Sequence, residues 1–269
     1  MLTGETRLVG LLRYPLSHSL SPRMQNAAFA ARGLDWAYVP LPVEPARLEA
    51  AVAGLVALGF AGANLTIPHK TAVVSFCDEL DPVAERAGSV NTLVIREGRV
   101  LGSSTDGAAV VEQVEAEGAR VLVLGAGGAA QAVATALVEA RCASLRVAAR
   151  NSERAHALAS RLLTLFPERH VGAEEAWPPE TAEATLIVNA TPVRDELLVV
   201  PERDQKVVDL AYNADERPTA LVAAARERGC GAVDGLDVLV AQGAASFERW
   251  TGIPAPLEVM RAAVRSLRP

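Results

Sequence analysis

Aromatic residues are scarce in this chain. Phe, Trp and Tyr together make up 4% of its 269 residues, too few for a platform that stacks nucleic-acid bases. A block of like charge is also missing. Lys and Arg number 26 against 32 Asp and Glu, a net charge of -6, so a basic groove for nucleic acid is not expected. The cysteines are three, Cys77, Cys142 and Cys230, odd in number and far apart. That argues against a disulfide framework and fits a reducing cytoplasm. The four histidines, His18, His69, His156 and His170, show no metal-ligand spacing with Cys or acidic partners. No apolar run approaches the roughly 20 residues that cross a bilayer. The start, Met1-Leu2-Thr3-Gly4-Glu5-Thr6-Arg7, has neither the basic n-region nor the apolar stretch of a secretory signal. A cytoplasmic protein is expected, with a small-molecule substrate and no metal, membrane or nucleic-acid partner. Monomer and homodimer are both open.

Half of the residues are hydrophobic, enough for one large core or two smaller ones. Leu8–Leu12 is a short apolar run that reads as a buried strand. Ser21-Pro22 reads as a hydroxyl cap followed by proline in the first turn of a helix that ends near Gly33. A strand at Trp36–Leu41, a helical period over residues 45–58 and a strand at Gly62–Ile67 follow. Such alternation predicts right-handed crossovers and mainly parallel pairing. Asn91–Ile95 and Gly98–Gly102 read as two strands around a Glu97-Gly98 turn. A second alternating unit begins near Asp106, with a helix over 107–117 and strands at Arg120–Leu124, Leu145–Ala149, Leu186–Asn189, Lys206–Leu210 and Ala232–Asp234. Segment 167–183 reads as variable surface. After Gly235 the pattern is helical to Trp250, broken at Pro254 and Pro256, and helical again from Leu257. The fold class is α/β with two domains.

Four places carry chemistry. Gly125-Ala126-Gly127-Gly128-Ala129-Ala130 follows an apolar strand and opens a helix. Its glycines permit a tight turn and close backbone approach to a pyrophosphate, and the helix start supplies free N–H groups. An ordinary strand-to-helix turn is the alternative. The next strand ends at Ala149-Arg150-Asn151-Ser152-Glu153-Arg154, with no acid at 148–151 to take a ribose 2′-hydroxyl. Arg150 and Arg154 suit a 2′-phosphate, so NADP is favoured over NAD. A solvated basic turn with Asn151 or Ser152 capping the helix is the competing reading. Ser17-His18-Ser19-Leu20-Ser21 spaces three hydroxyls two apart before a helix start, a place for a substrate carboxylate or merely a capped helix. Asn64 and Thr66 share one strand face, Pro68 stops the strand and Lys70 begins the next helix, where a cation is out of place. With Asp106 at a loop-to-helix junction, this order reads as a hydride-transfer enzyme with a Lys70/Asp106 proton-transfer pair.

Ser19-Leu20-Ser21-Pro22, Asn64-Leu65-Thr66-Ile67-Pro68-His69-Lys70, Ala87-Gly88-Ser89-Val90-Asn91-Thr92, Thr105-Asp106, the glycine turn, Asn189-Ala190-Thr191-Pro192 and Leu239-Val240-Ala241-Gln242 occur in this order. Together they resemble the shikimate dehydrogenase family from about residue 8 to 252. The resemblance implies a substrate domain over 1–105 plus 236–269 and a Rossmann-like, doubly wound NADP-binding domain over 106–235. It also implies reversible, NADP-dependent reduction of 3-dehydroshikimate to shikimate, on the way to chorismate and the aromatic amino acids. Lys70 would be the general acid/base and Asp106 its charged partner. Ser19 and Ser21 would hold the substrate carboxylate. Thr66, Asn91, Asp106 and Gln242 would hold ring hydroxyls, with Asn64 supporting that wall and Tyr212 bordering the substrate. Gly125, Ala126, Gly127, Gly128, Ala129, Arg150, Asn151 and Arg154 would hold the cofactor, with Thr191, Leu210 and Gly235 at its nicotinamide end. Four positions depart from the family pattern: Ser104 and Ala149 stand where asparagine is usual, Ala214 where proline is, and Val238 where methionine often is. The last three lie on the cofactor side. A paralogue acting on quinate, aminoshikimate or a related cyclic hydroxy acid is the alternative, and a non-catalytic ligand sensor a more distant one.

Overall fold

The computed structural model describes residues 2–15 and 19–265. The chain divides into two compact units, Met1–Thr105 with Leu239–Pro269, and Asp106–Val238.

The first unit opens with β1 (Arg7–Arg13), α1 (Ser21–Ala31), β2 (Trp36–Pro42), α2 (Leu48–Ala57) and β3 (Gly62–Leu65). It continues with β4 (Glu79–Leu80), α3 (Pro82–Ala87), β5 (Thr92–Arg96) and β6 (Arg99–Ser103). The strands form one sheet in the order β2-β1-β3-β5-β6-β4. β1 is parallel to both β2 and β3, which the helical crossovers require. β5 and β6 reverse direction around Glu97 and Gly98, both at positive φ (53° and 77°). That pair of left-handed residues makes the tight hairpin read from the sequence. One side of the sheet is closed by an apolar cluster that includes Leu12, Leu48, Val52, Leu55, Leu65, Val73, Leu93 and Val100.

In the second unit α4 (Asp106–Val111), β7 (Arg120–Leu124), α5 (Gly128–Glu139), β8 (Ser144–Ala148), α6 (Ser152–Leu165) and β9 (Val171–Ala173) come first. Next are β10 (Leu186–Asn189), β11 (Lys206–Asp209), α7 (Ala220–Glu227) and β12 (Gly231–Val233). Its sheet has the order β12-β11-β10-β7-β8-β9 and every pairing is parallel. The chain runs outward from β7 to β9, then returns to the other side of β7 and runs outward again to β12. The direction of winding therefore reverses between β7 and β10, the place where open α/β sheets leave a crevice at the strand C-termini. α8 (Gly235–Thr251) and α9 (Leu257–Arg265) end the described chain. In the first unit, the Phe247 ring of α8 stacks on Phe29 of α1, 5.3 Å between centroids.

Three local expectations are corrected. Ser21 does not cap α1: Leu20 holds the cap position without a side-chain hydrogen bond, and Ser21 is the first helical residue. The helix expected over 107–117 ends at Val111. There the Gln113 side chain donates to Ala109 O at 2.7 Å, and Lys206 Nζ donates to Gln113 O at 2.8 Å. Carbonyls satisfied in this way need no further helical turn. Lys70 does not start a helix but lies in a turn, two residues before a short 3₁₀ segment at Ala72–Phe76. Within the surface segment 167–183, residues Val171–Ala173 pair with β8 as an edge strand. Among the described residues no helix is long and apolar enough to cross a membrane.

Candidate active site

In the first unit a buried polar network sits where β3, β5 and the Asn91 loop meet α8. Asn64 Nδ2 donates to Asn91 O, Thr92 Oγ1 and Ser246 Oγ at 3.0–3.1 Å, and Asn64 Oδ1 accepts from the Tyr38 hydroxyl at 2.9 Å. Every polar atom of Asn64 is thus engaged internally. Asn91 Oδ1 accepts from Thr105 N and Thr92 Oγ1, while Nδ2 donates to Thr105 Oγ1 at 2.8 Å and, more weakly, to Gln242 Oε1 at 3.4 Å. Thr105 Oγ1 donates to Gln242 O, and Gln242 Nε2 to Leu239 O. Asn64, Asn91 and Gln242, far apart in sequence, are brought together here. Tyr38, Thr92 and Ser246 were not singled out from the sequence. Their signal is weak, because a hydroxyl in a strand or helix has many ordinary uses.

The segment that ends in Lys70 is pinned from several sides. Thr66 N donates to Leu12 O, His69 N to Thr66 O, and Val90 N to Lys70 O at 2.8 Å. Lys70 therefore lies beside the strand of chain that carries Asn91. The buried His69 ring bonds to Val43 O at 2.8 Å, and burial lowers its pKa, so it is a neutral structural histidine. Lys70 and Thr66 are half-buried, and the Thr66 hydroxyl has no hydrogen-bond partner among the described residues. Ser19 Oγ accepts from Ser21 N at 3.3 Å, which leaves its proton available, and the Ser21 hydroxyl is likewise unpartnered among the described residues. Ser17 and His18 lie outside the described residues. Of the expected proton-transfer pair, Lys70 belongs to the first unit and Asp106, 5% exposed, opens α4 in the second.

In the second unit the expected cofactor residues gather at the C-terminal edge of the sheet. Gly125 N donates to Ala148 O at 2.7 Å, and Gly125 holds φ +110°, which side-chain-bearing residues avoid. A Cβ at Gly125 would stand 3.3 Å from Thr191 Cγ2, so the glycine turn and the Asn189–Thr191 loop adjoin. Gly127 is the N-cap of α5 without a side-chain cap, and a Cβ there would meet nothing within 4 Å. The helix start, the flanking Ala126, Gly128 and Ala129, and the open space before them fit a pyrophosphate. Leu210 N donates to Asn189 O at 2.9 Å. Gly235 abuts Ala211 so closely that a methyl group would overlap the Ala211 carbonyl oxygen. Arg150 and Arg154 are exposed, without ion-pair partners among the described residues, and no acid ends β8. Asn151 Oδ1 caps α6 by accepting from Arg154 N at 2.9 Å, so only its amide nitrogen is left for a ligand. The Tyr212 carbonyl accepts from Arg194 Nη1 at 3.4 Å, and its ring is half-buried. Asp209, which no sequence motif singled out, proves to be a fully buried carboxylate at the end of β11. Its signal was an acid closing an apolar strand, where water cannot serve it. The sulfur atoms of Cys77 and Cys142 are not nucleophiles: burial pushes each thiol up to about 11.

Reversed winding over a glycine turn defines the second unit as a doubly wound, Rossmann-like fold. Residues 11–93 match the family model for the shikimate dehydrogenase substrate binding domain. Residues 108–175 match that for shikimate / quinate 5-dehydrogenase, and residues 235–265 that for the shikimate 5′-dehydrogenase C-terminal domain. A shikimate dehydrogenase (NADP(+)) from Anaeromyxobacter sp. (strain Fw109-5) is 47% identical, over 98% of this chain and 98% of its own. Shikimate 5-dehydrogenase from Thermus thermophilus, solved with NADP(H) and shikimate, superposes with a TM-score of 0.84. It is 34% identical, over 97% of this chain and 100% of that one. Quinate dehydrogenase from Corynebacterium glutamicum, solved with NAD, gives a TM-score of 0.85 at 32% identity, over 97% and 99% of the two chains. The chain belongs to the shikimate dehydrogenase family.

Proposed function

We propose that the protein is a cytoplasmic shikimate dehydrogenase that reversibly reduces 3-dehydroshikimate to shikimate with NADPH, a step toward chorismate. The observation that carries this reading is the 47% identity, over 98% of both chains, to a relative named shikimate dehydrogenase (NADP(+)). In this reading Met1–Thr105 with the C-terminal helices is the substrate domain, and Asp106–Val238 the NADP domain. Bound nicotinamide supplies the hydride. The residues of this chain do the rest. Lys70 gives its proton to the carbonyl oxygen as the alkoxide develops, and takes one back in the reverse direction. Asp106 is its charged partner in the proton transfer. The Ser19 and Ser21 hydroxyls donate hydrogen bonds to the substrate carboxylate. The Thr66 hydroxyl and the Asn91 and Gln242 amides, whose mutual contact is only 3.4 Å, take ring hydroxyls, Tyr212 borders the ring, and Asn64 acts through Asn91 by holding its carbonyl. Arg150 and Arg154 take the 2′-phosphate.

Loss of NADPH absorbance with 3-dehydroshikimate tests the reading, repeated with NADH and, in reverse, with quinate. Fast turnover confined to 3-dehydroshikimate with NADPH supports it. No turnover with 3-dehydroshikimate and either cofactor overturns it. A quinate or broader cyclic hydroxy-acid specificity is the second reading, favoured by the likeness to a quinate dehydrogenase and by Ala149, Ala214 and Val238 on the cofactor side. Faster turnover of quinate with NAD would select it. A pure ligand sensor is disfavoured because Lys70 and Asp106 are both present.

A further inference from the structure

A chain of buried hydrogen bonds runs behind the Thr191 loop. Asp209, 0% exposed at the end of β11, receives three donors. Asn189 Nδ2 and Ala211 N reach Oδ1 at 2.9 Å, and Thr219 Oγ1 reaches Oδ2 at 2.6 Å. Thr219 in turn caps α7, where its Oγ1 accepts from Val222 N at 3.3 Å. An ionised carboxylate only accepts hydrogen bonds. It therefore compels Asn189 to present its nitrogen, and the Asn189 oxygen must point the other way. That oxygen accepts from Thr191 N at 3.0 Å and from the Thr191 hydroxyl at 2.7 Å. With its proton committed, Thr191 Oγ1 accepts from Val193 N at 3.2 Å. Reversal of the Asn189 amide would set its oxygen against the carboxylate and its N–H groups against the Thr191 N–H. One orientation remains.

We propose that Asn189, oriented by the buried Asp209 carboxylate, is a positioning residue that fixes the Thr191 loop for the nicotinamide half of the cofactor. This rests on the reading that Thr191 borders the nicotinamide. The loop adjoins Gly125, whose turn faces the pyrophosphate in that reading, so a shift of Thr191 falls on the nicotinamide side of the turn and not on the adenine side.

The test compares two probes on the full chain: NADPH, and adenosine 2′,5′-bisphosphate, which carries the adenine half and no nicotinamide. Asn189→Ala is expected to weaken NADPH about tenfold and leave the bisphosphate within about twofold. Thr191→Val should act in the same direction, and the double variant should be no worse than Asn189→Ala, as residues acting in series require. Asp209→Leu should match Asn189→Ala. Asp209→Asn should recover most of the NADPH affinity lost in Asp209→Leu, because its oxygen can still accept from Asn189 and Ala211 while its amide donates to Thr219. Should Asn189→Ala fail to fold, Thr191→Val and Asp209→Asn carry the decision, with thermal unfolding as the check on folding. Equal weakening of both probes, no weakening of either, or additive losses in the double variant overturns the positioning role. Wild-type protein that binds NADPH yet does not reduce 3-dehydroshikimate refutes the functional reading alone. Normal turnover with an unchanged ratio of the two probes in Asn189→Ala refutes the positioning role alone.

Discussion

Asn64 in the first unit and Asn189 in the second are both buried asparagines near the C-terminal end of a strand, yet different partners orient them. Asn64 is set by the Asn91 carbonyl and by three hydroxyls, of Tyr38, Thr92 and Ser246. A carbonyl accepts at any pH and a hydroxyl turns to suit, so this network is indifferent to acid. Asn189 is set by the Asp209 carboxylate, whose pKa burial pushes up to about 6 against the pull of three hydrogen bonds. The same side chain is thus held once by uncharged groups and once by a titrating one. Under the proposed function, the wall that meets the substrate ring is wired through groups that do not titrate, while the cofactor loop is wired through one that does.

The largest expected effect breaks the division of labour between the units. Lys70→Ala should lower kcat by about a thousandfold, with the shikimate KM shifted only several-fold, since a proton donor acts mainly in the transition state. Steady-state kinetics check this, and near-normal turnover would refute the role of Lys70. Next in size, Arg150→Ala with Arg154→Ala should reduce kcat/KM for NADP about a hundredfold and leave that for NAD nearly unchanged; equal losses for the two cofactors would contradict the 2′-phosphate assignment. Asn64→Leu should cost about 3 kcal/mol of stability in denaturant unfolding, because it strands buried hydroxyls and the Asn91 carbonyl. That loss should be the same at pH 5 and pH 7.5, and a strongly pH-dependent one would erase the contrast.

Asp209→Asn sharpens the contrast from the other side. The folded pKa of Asp209 lies above the unfolded value, so the native state binds the proton more tightly. Its contribution to stability is fully present below about pH 4 and is lost as pH rises through about 6, up to about 3 kcal/mol in all. Asparagine has nothing to titrate. Relative to wild type, the variant should therefore gain up to that amount between pH 4 and pH 7 in urea unfolding. Parallel profiles for the two proteins would show that Asp209 is not a titrating brace.

Much of this was legible in the sequence, where local chemistry and fold agree. Val121–Leu124 is an uninterrupted apolar run and became β7 with Arg120 at its start; Gly98 offered a residue at ease at positive φ and, with Glu97, became the hairpin turn. The glycine turn was readable for the same reason, because its backbone demands leave few substitutes. Ser21 misled as a cap because capping depends on where the helix begins, and the Ser19 hydroxyl bonds to Ser21 N instead. The short α4 and the edge strand β9 depend on tertiary partners, Lys206 for the first and β8 for the second, which no local pattern announces. At the site, the residue types were readable but their division of work was not. That Asn64 spends every polar atom internally, and that Asp209 governs Asn189, follows only from which strands lie side by side.

The account turns on Lys70 as the proton donor to the substrate oxygen. A crystal structure with shikimate and NADP bound tests it most directly. The account predicts Lys70 Nζ within about 3 Å of the hydroxyl that is oxidised, with the Ser19 and Ser21 hydroxyls on the carboxylate. Shikimate bound in the first unit with another group at that hydroxyl and Lys70 directed away from it would contradict the account.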